Sequence, residues 1–372
     1  MKILIAGDYV PMNRIANMIE SKDYSFFDNI KQYTNNHDLS IINLEAPIVR
    51  SNYQIIKKCG PNLKANPNTI DSIKYGGFNM ATLANNHILD YGENGINDTI
   101  EICENNGIMT VGAGKNLNDA TSIKLFKKKG KTVAIINCCE HEFSIAEENK
   151  AGSCPLDPIT QFHQIKKAKS IADYVMVIVH GGHEHYQYPT HRMVENYRFL
   201  IEIGADAVIN HHQHCFSGYE IFQNKPIFYG IGNLCFDTGS NNETWHEGYM
   251  VSLNLDKDTT FSIIPYIQCD KEPKIEIVNS EIFQTRIDKI NQTLTNKTKL
   301  ISNNEKYFND EKKHILKMFE PYSGRICNKL FTLGLLPSCL TESRLLMIDN
   351  YISCESHRDK VLHVLKKEIQ KS

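Results

Sequence analysis

The segment HGGHEHY, His180 to Tyr186, sets three imidazoles, a carboxylate and a phenol directly after the β-branched apolar run Val177 to Val179. Such groups resist burial unless they are paired, so their gathering at one strand tip points to coordination or proton transfer. Four other strand-like runs end in the same way: Gly7-Asp8; Asn43-Leu44-Glu45; Asn85-Asn86-His87, with Asp90 one helical turn on; and Asn210, followed by His211, His212 and His214. Carboxylates, amides and imidazoles together suit divalent Mn, Fe or Zn better than Ca or Mg, because nitrogen donors favour the later metals. Two such ions can activate water and neutralise an oxyanion in hydrolysis of a phosphate ester or an amide. Taken singly, each piece has an ordinary reading, as a turn, a helix cap or an exposed loop. Their recurrence at five strand ends favours a shared site.

The elements that must position these groups are short β-rich runs alternating with helical segments, the pattern of an α/β sandwich. Strands are predicted at residues 2–7, 38–43, 78–84, 109–111, 132–138, 174–179, 207–210 and 226–232, with helices at 95–105 and about 190–203. In open α/β sheets, sites form beyond the carboxyl ends of the strands, so residues remote in sequence converge on one rim. His212 and His214 alternate, which on an extended backbone points both rings the same way. After Gly248, alternating sequence (YMVSLNL, FSIIPYIQ, KIEIV) predicts antiparallel strands closing one edge. From residue 280 the chain turns polar and helix-forming, and its last segment carries an apolar stripe at 361, 362, 364, 365 and 369. Two regions are expected: a catalytic-type domain over 1–279 and a helical extension over 280–372, whose helices could pair with the core or with a second copy of the chain.

Composition narrows the function classes. A net charge of -2 argues against a nucleic-acid footprint. Eleven cysteines, with no CxxC pair, read as free thiols in a reducing compartment. No apolar run reaches the roughly 18 residues of a membrane span, and MKILIAGD is too short for a signal peptide. A cytoplasmic location is the expectation. VGAGK, Val111 to Lys115, does not meet the spacing of a phosphate-binding loop. Trp245, the single tryptophan, is expected to pack rather than to act.

The ordered set GD, NLE, LANNHILDYG (Leu83 to Gly92), HGGHE (His180 to Glu184), GADAVINHHQH (Gly204 to His214) and IFYGIGNLCFD (Ile227 to Asp237) resembles the CapA family of bacterial capsule and poly-γ-glutamate synthesis proteins. The resemblance covers about residues 1–265 and implies a metallophosphoesterase-like α/β sandwich with mixed central sheets, to which the helical C-terminal appendage is added. It implies one or two divalent metals, with Asp8 and His214 on the first, Glu45 bridging, and Asn86, His180 and His212 on the second. His87 would be the general acid for the leaving group, with Asp90 holding its second nitrogen. Asn43, Asn85, Glu184, His211, Asn233 and Asp237 would touch substrate or support the ligands.

Two departures stand out. The related phosphoesterases begin with Asp-x-His, whereas Asp8 is followed by Tyr9 and Val10, so the first metal position is one imidazole short. Gln213 stands where the family often has proline. The expected function is hydrolysis of an anionic or phosphorylated substrate, such as a cell-envelope polymer. The alternative is a non-hydrolytic subunit of a capsule or poly-γ-glutamate assembly machine that binds the polymer.

Overall fold

The chain is described by a computed structural model that covers it apart from residues 257, 258, 323, 354–356, 359, 363, 366–368 and 370–372. Among the described residues the strands form two mixed sheets and one small hairpin-like pair. The larger sheet runs, in spatial order, β16 (Ile275–Ile277), β15 (Thr259–Gln268), β14 (Glu247–Leu255), β1 (Lys2–Val10), β2 (Leu39–Leu44), β3 (Met80–Thr82) and β4 (Met109–Val111). β13 (Asn233–Phe236) adds to the end of β1. The smaller sheet runs β11 (Tyr219–Phe222), β12 (Lys225–Phe228), β10 (Ala207–His211), β9 (Tyr174–His180), β7 (Lys131–Cys139) and β6 (Lys124–Lys128). β5 (Ala113–Gly114) pairs with β8 (Gly152–Ser153).

Period-2 alternation assigns the two faces of the larger sheet. Ile3, Ile5, Leu39 and Ile41 pack with Val133, Ile135, Val177 and Val208 of the smaller sheet. Their neighbours Leu4, Ala6 and Ile42 pack instead with Ile15, Ile19, Ile30, Ile73 and Ile102 from helices on the outside. Strands buried on both faces must be apolar throughout, which is why these segments read as unbroken hydrophobic runs. Ile165, Ala168, Tyr197 and Leu200, from the helices at Pro158–Ile171 and His191–Glu202, cover the smaller sheet in turn. The α/β sandwich with mixed sheets is therefore the observed fold class.

β1, β2, β3 and β4 are mutually parallel, as are β7, β9, β10 and β12. Register then sets the chemistry side by side: Asp8 lies opposite both Asn43 and Asn233, and His180 lies opposite His211. The β1 ladder breaks register at Asp8, a bulge of the kind that re-aims side chains next to sites. Gly7 is obligatory there, since a Cβ would stand 1.9 Å from the Gly232 carbonyl oxygen.

Three expected strands differ. The first extends to Val10 because β13 pairs with its end. The 78–84 strand shortens to Met80–Thr82: the Leu83 amide is shared between the Val111 carbonyl and Asn137 Oδ1, at 2.9 and 3.1 Å, and the Ala84 amide donates to Asn137 Oδ1 at 2.7 Å. The 226–232 strand stops at Phe228, and the chain crosses to the other sheet before Asn233 begins β13.

The chain divides into two compact units, Met1–Ser302 and Asn303–Ser372. The division falls beyond residue 279 because Phe283, Ile287, Ile290 and Leu294 of the helix Ser280–Thr295 are buried in the first unit's core. The second unit is helical, with elements at Arg325–Thr332 and Glu342–Ser353. Of the final apolar stripe, the intervening residues 363 and 366–368 lie outside the described residues.

Candidate metal centre

Asp8, Glu45, Asn86, His180, His212 and His214 are all buried at the carboxyl ends of β1, β2, β3, β9 and β10. Two overlapping sets have ligand-type atoms within 4.8 Å of one another: Asp8, Glu45 and His214, and Glu45, His180 and His212. His180 Nε2 is 3.1 Å from Asn86 Oδ1, 3.1 Å from His212 Nδ1 and 3.4 Å from Glu45 Oε1. His214 Nε2 is 3.7 Å from Glu45 Oε1, and its Nδ1 is 3.6 Å from Asp8 Oδ2. Glu45 thus stands between the two sets. Both of its carboxylate oxygens are buried without a hydrogen-bond partner. An orphaned buried carboxylate is costly, at least about 1–3 kcal/mol and more when charged. Four neighbours capable of coordination offer it a divalent ion as the missing partner, so the residues fit such a group.

The electrostatics agree with that fit. Burial, followed by the Asp8 charge, raises Glu45 well above the usual carboxylate range. Burial, with the His212 ring beside it, holds His180 well below the usual imidazole range, and burial also lowers His212. These rings are therefore neutral, the form that coordinates. Asp8, which burial alone would raise, is held low chiefly by His211 beside it.

The supporting groups divide clearly. Asn43 Nδ2 donates to Asp8 Oδ1 at 2.7 Å, and Thr82 Oγ1 donates to Asn43 Oδ1. His211 stands behind Asp8, its Nδ1 3.1 Å from Oδ1 but outside hydrogen-bond geometry. His214 Nδ1 meets Asn233 Oδ1 at 2.8 Å; the amide oxygen can only accept, so His214 carries its proton on Nδ1 and offers Nε2 to the cluster. Glu184 is half-exposed and joins His212 and His214 in a third grouping at the mouth. Asn85 is a brace, donating to the Leu44 carbonyl and accepting from the His87 amide. Asp237 is not part of the cluster, because Arg14 holds its carboxylate through Nε and Nη2. His212 and His214 occupy left-handed backbone, at φ 85° and 54°. That conformation costs side-chain-bearing residues of order 1–3 kcal/mol and concentrates at functional sites.

His87 and Asp90 form a dyad beside this cluster, with Nδ1 2.7 Å from Oδ2. Three neighbours went unread in the sequence. Lys58 reaches Asp90 from an irregular loop, Glu142 Oε1 lies 3.7 Å from His212 Nε2, and Asn137 fixes the turn after β3. Lys58 and Glu142 follow no strand-end pattern, whereas Asn137 closes the apolar run Val133–Ile136 of β7. Residue 10, where the related phosphoesterases carry a histidine, is Val10, buried in the core behind the outer face.

Trp245 packs on the cluster itself: its ring centroid is 5.0 Å from that of His214, and its indole N–H donates to the Phe236 carbonyl. As the only tryptophan, it reports on that position. Titration with Co²⁺ is expected to quench its fluorescence at one equivalent or less, whereas an ion bound away from His214 would leave the emission unchanged.

Two facing mixed sheets flanked by helices, with acids, an amide and imidazoles gathered at the strand ends, define an α/β sandwich with a candidate metal centre at one rim. Residues 2–238 match the family described as bacterial capsule synthesis protein PGA_cap, and the chain belongs to that family. It is 30% identical over 250 residues to the capsule biosynthesis protein CapA of Bacillus anthracis, covering 64% of this chain and 60% of that one. It is 30% identical over 266 residues to the PGA biosynthesis protein CapA of Bacillus subtilis (strain 168), covering 70% and 69%. The match thus spans less than two thirds of the Bacillus anthracis relative. A solved phosphatase structure from Mycoplasma pneumoniae aligns with 76% of this chain and 96% of its own, at TM-score 0.47 and 14% identity. Among the described residues, no helix is long and apolar enough to cross a membrane.

Proposed function

We propose that this protein is a metal-dependent hydrolase acting on a phosphoester or other anionic linkage of a cell-envelope polymer. The observation that carries the reading is Glu45, wholly buried, with both oxygens unpartnered, between Asp8, His180 and His214. Asp8, Glu45 and His214 would hold one ion, and Glu45, Asn86, His180 and His212 a second, with Mn, Fe or Zn favoured by the mixed donors. When bound, such ions supply an activated water and neutralise developing oxyanion charge.

The chain's own residues account for the rest. A carboxylate oxygen 2.7 Å from an imidazole nitrogen requires a proton between them, so His87 carries hydrogen on Nδ1 and donates it to Asp90. With Nδ1–H kept on Asp90, the imidazolium form carries a second proton on Nε2, and handing that proton to the leaving oxygen returns the ring to its neutral Nδ1–H form. Asn43 and Asn233 fix the orientations of Asp8 and His214. Glu184 and Glu142 frame the mouth.

The second reading, a polymer-binding subunit without turnover, draws support from Val10, which leaves the Asp8 side one imidazole short. Assays of the full chain with Mn²⁺ on p-nitrophenyl phosphate and its bis-ester separate the two. Turnover abolished by a chelator and restored by Mn²⁺ is expected. Bound metal without turnover on either ester would favour the binding subunit, and absence of both metal and turnover would sink both readings.

A further inference from the structure

The stretch 51–64 has no regular secondary structure, yet the side chain of one of its lysines is almost fully buried. Lys58 has a side chain only 1% exposed, and its Nζ lies 2.5 Å from Asp90 Oδ1 and 3.1 Å from His87 Nδ1. Its neighbour Lys57 is exposed. Taking an ammonium out of water costs several kcal/mol unless a charge partner is well placed. Asp90 is that partner, and it also organises the rest of the strap. Its backbone carbonyl accepts from the Ile56 amide at 3.0 Å and from Asn62 Nδ2 at 3.2 Å. Its Oδ2 accepts from the Leu63 amide at 2.6 Å while holding His87 Nδ1 at 2.7 Å.

Asp90 therefore divides its carboxylate. One oxygen faces the strap cation, and the other serves both the strap backbone and the imidazole. A carboxylate ion-paired to Lys58 through Oδ1 and hydrogen-bonded twice through Oδ2 resists rotation away from His87. A carboxylate lacking its cation partner would be free to turn toward water, releasing Nδ1 and the ring with it. Phe143, whose ring centroid is 5.3 Å from Lys58 Nζ, closes the other side of the ammonium.

We propose that Lys58 is a positioning residue of this site: carried in by the 51–64 strap, it locks Asp90 and through it the direction of His87 Nε2. Seating of the strap and aiming of the acid are then one event. This inference rests on the hydrolase reading for its catalytic consequence, and on the strap contacts alone for its structural one.

Two measurements on the Mn²⁺-loaded full chain test it, with Lys58→Met as the variant and Lys57→Met as the control. The first is hydrogen exchange at the Ile56 and Leu63 amides, which is expected to quicken at least about tenfold in Lys58→Met, as local opening no longer works against the clasp, and to stay as wild type in Lys57→Met. The second compares p-nitrophenyl phosphate, whose leaving group needs little protonation, with phenyl phosphate, which needs much. Phenyl phosphate turnover should fall roughly 100-fold or more in Lys58→Met, the scale of general-acid catalysis, and p-nitrophenyl phosphate turnover only a few-fold, with metal content retained. Equal losses on both esters, or unchanged exchange, overturn the proposal. If wild type turns over neither ester, the hydrolase reading fails by itself, and the clasp stands or falls on the exchange result. Lys58→Gln, polar and similar in length, repeats both measurements should Lys58→Met fail to fold.

Discussion

Glu45→Gln is expected to remove metal binding and turnover together, although the substitution leaves side-chain volume almost unchanged. The carboxylate has no hydrogen-bond partner on either oxygen and belongs to both coordination sets. Gln removes the negative charge, and its amide N–H₂ faces neutral imidazole nitrogens that carry lone pairs. Loss of a support around a ligand already costs about 10–100-fold in affinity; loss of the shared ligand should exceed that. Equilibrium dialysis with Mn²⁺ measures it directly.

The pH dependence provides a second signature. Glu45 is raised, chiefly by burial, so without metal it holds a proton above the ordinary carboxylate range. Metal must displace that proton, so wild-type affinity should climb by about tenfold per pH unit until Glu45 ionises unaided. Burial holds His180 well below the usual imidazole range and lowers His212 as well, so these two rings add to the climb only at lower pH than an ordinary imidazole would. Glu45→Gln should flatten the climb. Wild-type affinity independent of pH between about 5 and 7 would contradict the assigned role.

His87→Ala should do the reverse: metal retained, chemistry lost. His87 belongs to neither ligand set, and its Nδ1–H is engaged with Asp90. Turnover of phenyl phosphate is expected to drop by about 10²–10⁴-fold, the usual contribution of a positioned acid. Metal content by elemental analysis should match wild type. If the variant loses its metal as well, His87 supports the ligands and the proton donor lies elsewhere. The contrast with Glu45→Gln matters because a merely unfolded variant would lose both properties in each case.

The strand ends were legible because burial on both faces forces apolar runs, and a polar residue closing such a run stands out. Asp8, Glu45, Asn86, His180, His212 and His214 all followed that rule, and the structure brings them together. Asp237 followed it too, but β13 carries it past the rim to Arg14, a long-range pairing that local pattern does not encode. Lys58 and Glu142 were invisible for the opposite reason: they arrive on irregular loops, where no periodicity marks which side chain turns inward. The helix Ser280–Thr295 looked like part of an appendage by its polarity. Phe283, Ile287, Ile290 and Leu294 form its buried stripe, and its polar residues lie on the remaining faces.

Anomalous diffraction from crystals soaked in Mn²⁺ tests the common-cation arrangement most directly. A peak bounded by Glu45, His180 and His212 is predicted, with a second bounded by Asp8, Glu45 and His214 if both positions fill. No peak at saturating Mn²⁺, or peaks only away from Glu45, would contradict it.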